Sequence, residues 1–372
     1  LATSSAASDV YKRQVHADDD GLFFITNLEA DNYRLVKILF ADFQMVEVVP
    51  EDNFALKGVS FVNDYLIADY IDHADMRSAI VFLNHSGEQL DVTLPESLRG
   101  TISGFQGIGD DAIMFSVTSY TQPVQYFSFD FTNNSLELLW EEAIPGFNPN
   151  DYTEVSTNYE SKDGTVVPIT YSYKSSTKLN KDTPIFLYAY GGYNISIRPS
   201  FTPKYVAWLE MGGVLAVANI RGGGEFGKAW HNAGRLGTKQ NVFDDFLYAS
   251  KFLENNALGN RKSTVISGRS NGGLLVGATL IQNPNYFGAA LPAVGVMDMI
   301  RFTEFTEGWG WRGDYGYPIL SQEDFHRNIE ISPYHQTKIG VCYSPTLTTT
   351  ARRDDRVVPV SYTHLRAHET QR

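Results

Sequence analysis

The chain has 372 residues, enough for two domains, and carries 30 Lys plus Arg against 43 Asp plus Glu, a net charge of −13. That balance excludes the basic face of a nucleic-acid binder. The single cysteine, Cys342, excludes an intramolecular disulfide framework and reads as a buried structural thiol, and no apolar run approaches the roughly 18 residues of a membrane span.

Both ends read as something other than natural protein. Residues 9–14 (DVYKRQ) and 360–364 (VSYTH) can be encoded by the two strands of one inverted repeat, which resembles a transposon-end sequencing adapter translated through its junctions. On this reading residues 1–14 and 360–372 are adapter, and residues 15–359 are an internal piece of a longer gene. A leader would then lie upstream of Val15, so the compartment is not readable; the cytoplasm is the default and a periplasmic location stays open.

From residue 15 to 142 the pattern is β with a repeat. Asp20-Gly21-Leu22-Phe23-Phe24, Asp64-Tyr65-Leu66-Ile67-Ala68 and Asp111-Ala112-Ile113-Met114-Phe115 each open a strand after an acidic turn, at offsets of 44 and 47 residues. Two of these units continue with a second strand (79–83 and 124–129), a polar turn and a final strand (90–94 and 136–140). Turn–strand units near 45 residues predict propeller blades, about three of them, which cannot close a ring. An ordinary β-sandwich is the competing reading.

Residues 143–150 form a Pro/Gly/Asn-rich junction. Beyond it, strand patterns at 165–173, 185–190 and 214–219 alternate with helical ones such as 242–253, which predicts an α/β domain at 143–359 with a mostly parallel sheet and its chemistry in the turns after the strands. Gly222 to Gly227 satisfies Gly-x-Gly-x-x-Gly after a strand. The dinucleotide reading fails because Gly234 and Gly237 interrupt the helix that should hold the pyrophosphate, and Asp244 and Asp245 fall in a helical pattern. A close-packed glycine loop beside the active site fits better.

The most informative stretch is Gly268-Arg269-Ser270-Asn271-Gly272-Gly273. A β-rich run, 263–267, precedes it and an apolar helical run, 274–281, follows. Gly-x-Ser-x-Gly between strand and helix predicts a nucleophile elbow: a sharp turn strains and exposes the serine, flanking glycines let strand and helix approach, and the helix N-terminus faces an oxyanion. Acyl transfer by Ser270 needs a base, an orienting acid and an oxyanion hole. Asp354 follows a strand-like run, 345–350, where the acid of an α/β-hydrolase should stand. No histidine follows it before residue 360; His364 and His368 fall in the adapter. His231, His326 and His335 precede the acid and read as surface or structural residues. Trp309, Trp311 and Tyr315 sit among glycines, as core aromatics or a flat apolar pocket wall.

Together these residues resemble the prolyl oligopeptidase family of serine peptidases, in its proline-specific branch. Tyr190-Gly191-Gly192-Tyr193, residues 212–227, 268–275, 294–299 and 354–359 are similar to that family's blocks, in its order. The resemblance implies an α/β-hydrolase domain joined to a β-propeller and cleavage of short peptides after proline. It implies Ser270 as nucleophile, Asp354 as acid, and the Tyr190 hydroxyl with the Asn271 N–H as oxyanion hole. Trp311 would stack on the proline ring, Tyr193, Val294, Val357 and Tyr315 would complete or border that pocket, and Arg356 would bind a substrate carbonyl. The partners implied are short proline-containing peptides as substrates of a monomeric protein, with no cofactor, metal, nucleic acid or membrane. Three departures stand out: the family histidine is missing, Arg353 replaces a histidine common before the two aspartates, and the first blades and the N-terminal hydrolase segment are absent. The chain as given is therefore expected to be inactive. A Lys/Arg-specific relative and a catalytically dead propeller–hydrolase binding protein remain open alternatives.

Overall fold

A computed structural model describes residues 12–358. Most of the segments read as adapter, with His364 and His368, lie outside the described residues. Lys12 to Gln14 lie within them, in the first strand, paired with Thr26, Ile25 and Phe24. The chain divides into two compact units. The first runs to Asn150 and includes Arg198–Pro203 and Glu225–Ala229; the second holds the rest. Among the described residues no helix is long and apolar enough to cross a membrane.

The first unit is built of antiparallel meanders. β1–β4 are Lys12–Ala17, Gly21–Thr26, Arg34–Leu39 and Met45–Val49; β5–β7 are Leu56–Val62, Tyr65–Ile71 and Ser78–Asn84; β8–β11 are Thr101–Ile108, Ala112–Thr118, Gln125–Asp130 and Ser135–Glu141. Each set forms its own sheet with sequence neighbours paired, as in propeller blades. The three acidic-turn strands are β2, β6 and β9, the second strand of each blade. Period-two alternation does the packing: in β9, Ile113, Phe115 and Val117 point inward and join Phe82 and Phe129 in one apolar cluster. One expected strand is not formed. At 90–94 the ladder shrinks to a single bridge between Leu83 and Gln89, and Pro95, which has no N–H to donate, follows. Leu90, Val92 and Leu94 still pack on the apolar cluster, so the alternation reflects side-chain burial without strand pairing.

The second unit centres on a six-stranded sheet of order β12-β13-β15-β14-β16-β17. Its strands are Tyr152–Glu160, Val166–Lys174, Ile185–Tyr188, Val214–Ala218, Thr264–Arg269 and Ala289–Ala293, in chain order. Between and after these strands the chain forms α1 Pro203–Glu210, α2 Gly227–Asn232, α3 Gln240–Asn255 and α4 Asn271–Gln282, the first residues of α1 and α2 falling in the first unit. The sheet is mixed, with its parallel pairings in the majority and antiparallel ones at one edge. β14 pairs parallel with β15 and β16, and β16 with β17, whereas β12–β13 and β13–β15 are antiparallel. The tight turn closed by Ser161 N–H to the Thr165 carbonyl makes β12–β13 a hairpin, which is too short for a parallel crossover. The strand-like run at 345–350 contributes two parallel bridges, Thr346 to Ala290 and Thr349 to Ala293.

β15 is buried along its whole length, and α3 buries Val242, Phe243, Phe246, Ala249 and Leu253 at helical spacing. β14 is flanked by β15 on one side and β16 on the other, so the strand order reverses there. Open α/β sheets place ligand sites at the carboxyl ends of strands at such a reversal. Tyr190 follows β14 and Ser270 follows β16. Cys342, expected to be buried, is exposed: it lies in the irregular stretch beyond residue 340, outside the packed sheet.

Candidate active site

Ser270 sits at the apex between β16 and α4 with φ 58° and ψ −119°, a conformation an L-residue holds only under constraint. Three backbone bonds supply that constraint. Ser270 N–H donates to the Ala293 carbonyl at 2.9 Å, and the Ser270 carbonyl accepts from Gly273 and Leu274 at 2.8 and 3.1 Å. The neighbouring glycines are sterically required. A Cβ on Gly268 would lie 2.2 Å from the Gly272 oxygen, and one on Gly273 would lie 2.5 Å from the Ala293 oxygen. The turn therefore closes only with glycine at these positions, and Ser270 stands at the N-terminus of α4.

Tyr190 approaches from the other side of the strand reversal. Ser270 is among the groups that act on the ionisation of its hydroxyl. Burial pushes its pKa up, aided by the Asp314 charge and only partly offset by Ser270 and Arg356, so at neutral pH the phenol keeps a proton to donate. Asn271, the first residue of α4, is buried, and its Nδ2 donates to the Tyr190 carbonyl. Its Oδ1 accepts from the Tyr315 hydroxyl at 2.8 Å and from Lys239 Nζ at 3.1 Å.

Behind these groups lies a buried polar layer. Asp314 accepts the Tyr193 N–H at 2.8 Å through Oδ2, and Oδ1 meets His231 Nε2 at 2.9 Å. Burial alone would raise the Asp314 pKa; the His231 hydrogen bond, the Lys239 charge and the Tyr193 N–H outweigh it and hold the carboxyl below its usual range. Tyr193 has φ 57° and meets Tyr315 edge-on, ring centroids 5.6 Å apart at 82°. Tyr315 is itself buried, its hydroxyl turned to Asn271, so it supports the site from behind and does not line the cavity described next.

That cavity is a small, mainly apolar recess open to solvent and bounded by Val296, Phe302, Phe305, Trp311, Arg356, Val357 and Val358. Trp311 stacks on Phe302 at 6.3 Å and 15°. Asp354 Oδ1 accepts the N–H groups of Arg356 and Val357 at 3.1 and 2.9 Å, so one carboxylate shapes the turn that delivers both residues to the cavity wall. Val294 is outside the lining. It holds φ 41° and donates its N–H to the Thr349 carbonyl at 2.8 Å, which bridges the end of β17 to the following segment.

The structure thus hydrogen-bonds Asn271, the residue after Ser270, to Tyr190, with Ser270 and Arg356 within electrostatic reach of the Tyr190 hydroxyl, and joins Trp311, Arg356 and Val357 around one cavity. Sequence reasoning missed Lys239, Asp314, Phe302 and Phe305. Asp314 had a signal, since it lies three residues after Trp311; Lys239, in a polar run ahead of α3, had none. Of the histidines, His231 pairs with Asp314, and His335 Nδ1 lies 2.8 Å from the Ser332 hydroxyl.

Comparison with known proteins gives a consistent result. The profile described as "Prolyl oligopeptidase family" matches residues 199–368, and "Prolyl oligopeptidase, N-terminal beta-propeller domain" matches residues 7–142. The chain is similar to a prolyl endopeptidase of Elizabethkingia meningoseptica, 39% identical over 347 residues, covering 92% of this chain and 48% of that protein. It is also similar to a prolyl endopeptidase of Dictyostelium discoideum, 35% identical, covering 91% and 46%. Among solved structures, prolyl oligopeptidase B from Galerina marginata bound to a 35mer hydrolysis and macrocyclization substrate superposes with a TM-score of 0.91 at 31% identity, covering 97% of this chain and 51% of that one. The chain spans about half the length of the curated relatives it matches.

Proposed function

The chain belongs to the prolyl oligopeptidase family, and we propose that it is the part of a longer serine endopeptidase that hydrolyses short peptides on the carboxyl side of proline. The observation that carries this reading is Ser270, held at φ 58° in a glycine elbow at the strand reversal, with the half-buried Tyr190 phenol kept protonated beside it.

Ser270 Oγ attacks the carbonyl carbon of the proline residue as its proton passes to an imidazole. The oxygen of the tetrahedral intermediate takes hydrogen bonds from the Tyr190 hydroxyl and the Asn271 N–H, at the positive end of α4. Collapse expels the amine, which leaves with the imidazole's proton, and forms an acyl-enzyme on Ser270. Water, deprotonated by the same imidazole, then releases the acid and restores the serine. Asp354 is the acid that orients the imidazole. Trp311 offers a flat apolar face to the pyrrolidine ring, which loses little entropy when held. Val357 lines this pocket, Tyr193 and Tyr315 back it through their edge-on contact, Val294 stays outside its lining, and Arg356 binds a substrate carbonyl.

The cavity wall carries Arg356 and no carboxylate among its lining residues, which favours proline over Lys or Arg at the cleaved position. His231 and His335 are engaged elsewhere, and we assign the base to a histidine of the longer protein beyond residue 359. Mapping cleavage products of a peptide mixture by mass spectrometry tests the reading in the gene-length protein. Cuts confined to the bond after proline support it, and cuts after Lys or Arg overturn the specificity. The 372-residue chain alone should cleave such peptides no faster than its own Ser270→Ala variant. Ser270-dependent turnover by that chain would show that the base is already present.

A further inference from the structure

Lys239 has no place in the catalytic scheme above, yet it is 2% exposed. A lysine buried to that degree loses its hydration and persists only where partners replace it. Its Nζ donates to two acceptors, the Gly191 carbonyl at 3.0 Å and Asn271 Oδ1 at 3.1 Å, and lies 5.4 Å from the centre of the Tyr315 ring. These acceptors belong to different elements. Gly191 follows Tyr190 after β14, and Asn271 follows Ser270 at the head of α4. The Asn271 carboxamide closes the circuit: with Oδ1 held by Lys239 and Tyr315, its Nδ2 can only turn toward the Tyr190 carbonyl, where it is found.

We infer that Lys239 is a positioning residue for the oxyanion hole: by fixing the Asn271 carboxamide and the Gly191 carbonyl it sets the spacing between the Tyr190 hydroxyl and the Asn271 N–H. This rests on the serine-peptidase reading of the site. A buried ammonium suits the task because both acceptors are neutral oxygens that need a donor, and a charge-assisted bond holds them more firmly than a hydroxyl would. Oxyanion stabilisation depends on donors standing where the charge develops, so a shift of either loop weakens the transition state more than substrate binding.

The test is a double-mutant cycle in the gene-length protein. Lys239→Met keeps the length and apolar stem of the side chain and removes the donor. Asn271→Ala removes the carboxamide and keeps the backbone N–H. Lys239→Met alone should lower kcat for a proline-containing peptide on the order of 10-fold to 100-fold with KM changed less than about twofold, and should have little further effect in the Asn271→Ala background. An unchanged kcat, a loss confined to KM, or the same fold-loss in both backgrounds overturns the inference. A crystal structure of Lys239→Met separates this from failure of the peptidase reading. The Asn271 Nδ2 bond to the Tyr190 carbonyl should be lost or rotated; if it survives unchanged, Lys239 does not position it, whatever the activity of the protein.

Discussion

The Asn271 side-chain amide donates to the Tyr190 carbonyl. This bond ties the residue after the proposed nucleophile to Tyr190, across the strand reversal at β14. The two donors proposed for the oxyanion are therefore one mechanical unit, and each can be perturbed separately.

Tyr190→Phe deletes one donor and leaves the ring and the backbone carbonyl that Asn271 uses. In the gene-length protein kcat should fall on the order of 10²-fold with a smaller change in KM. Steady-state kinetics on a proline-containing peptide checks this. An unchanged kcat would assign Tyr190 to packing.

Trp311→Ala removes the plane stacked on Phe302 and opens the cavity. Discrimination between proline and alanine at the cleaved position should collapse while cleavage itself persists. Comparing kcat/KM for the two substrates in wild type and variant measures it; an unchanged ratio would remove Trp311 from the specificity pocket.

Gly268→Ala places a methyl group 2.2 Å from the Gly272 oxygen, a backbone atom that cannot swing aside. Either the elbow opens or the strand shifts, at a cost of about 1–3 kcal/mol by analogy with overpacked cores. A urea titration should show a lower midpoint and kinetics a loss of turnover. A variant of wild-type stability and activity would contradict the geometry of the elbow.

Burial lowers the Lys239 pKa from 10.5 to about 8, with Asp314 opposing part of the shift. Between these values the unfolded chain binds a proton that the folded chain has released, so this group makes stability rise with pH. Below about pH 8 both states are charged and the cost of burying the ammonium is fully present; above 10.5 it is gone. The stability of wild type relative to Lys239→Met should therefore improve from pH 7.5 to pH 10, as read from urea midpoints. A difference independent of pH would mean that Lys239 titrates normally.

The sequence and the structure agree most closely where local rules decide. The acidic turn followed by alternating apolar residues placed β2, β6 and β9, because period-two burial is a property of a few consecutive residues. The glycines around Ser270 announced the elbow because close approach of strand and helix tolerates nothing else. Long-range features were less legible. The antiparallel β13–β15 pairing joins residues some 45 positions apart, and no local pattern encodes it. Residues 90–94 have strand alternation but find their partner in side-chain packing. Lys239 is invisible in sequence, since a charged residue in a polar run reads as solvent-facing until the fold buries it, whereas Asp314 was signalled only by its place three residues after Trp311. Cys342 shows the converse: a thiol expected inside lies where the chain has left the core.

The central claim is that Ser270 is an activated nucleophile in a pocket that accepts proline. A peptide phosphonate ester carrying the proline analogue at its reactive end tests it directly, because it reacts only with a serine whose proton is taken and whose oxyanion is stabilised. Intact-mass and peptide mass spectrometry of the gene-length protein should show one equivalent attached at Ser270. The Ser270→Ala variant should show none, and a reagent with alanine in place of proline should react much more slowly. Attachment at another residue, or labelling of Ser270 at equal rates by both reagents, would contradict the account.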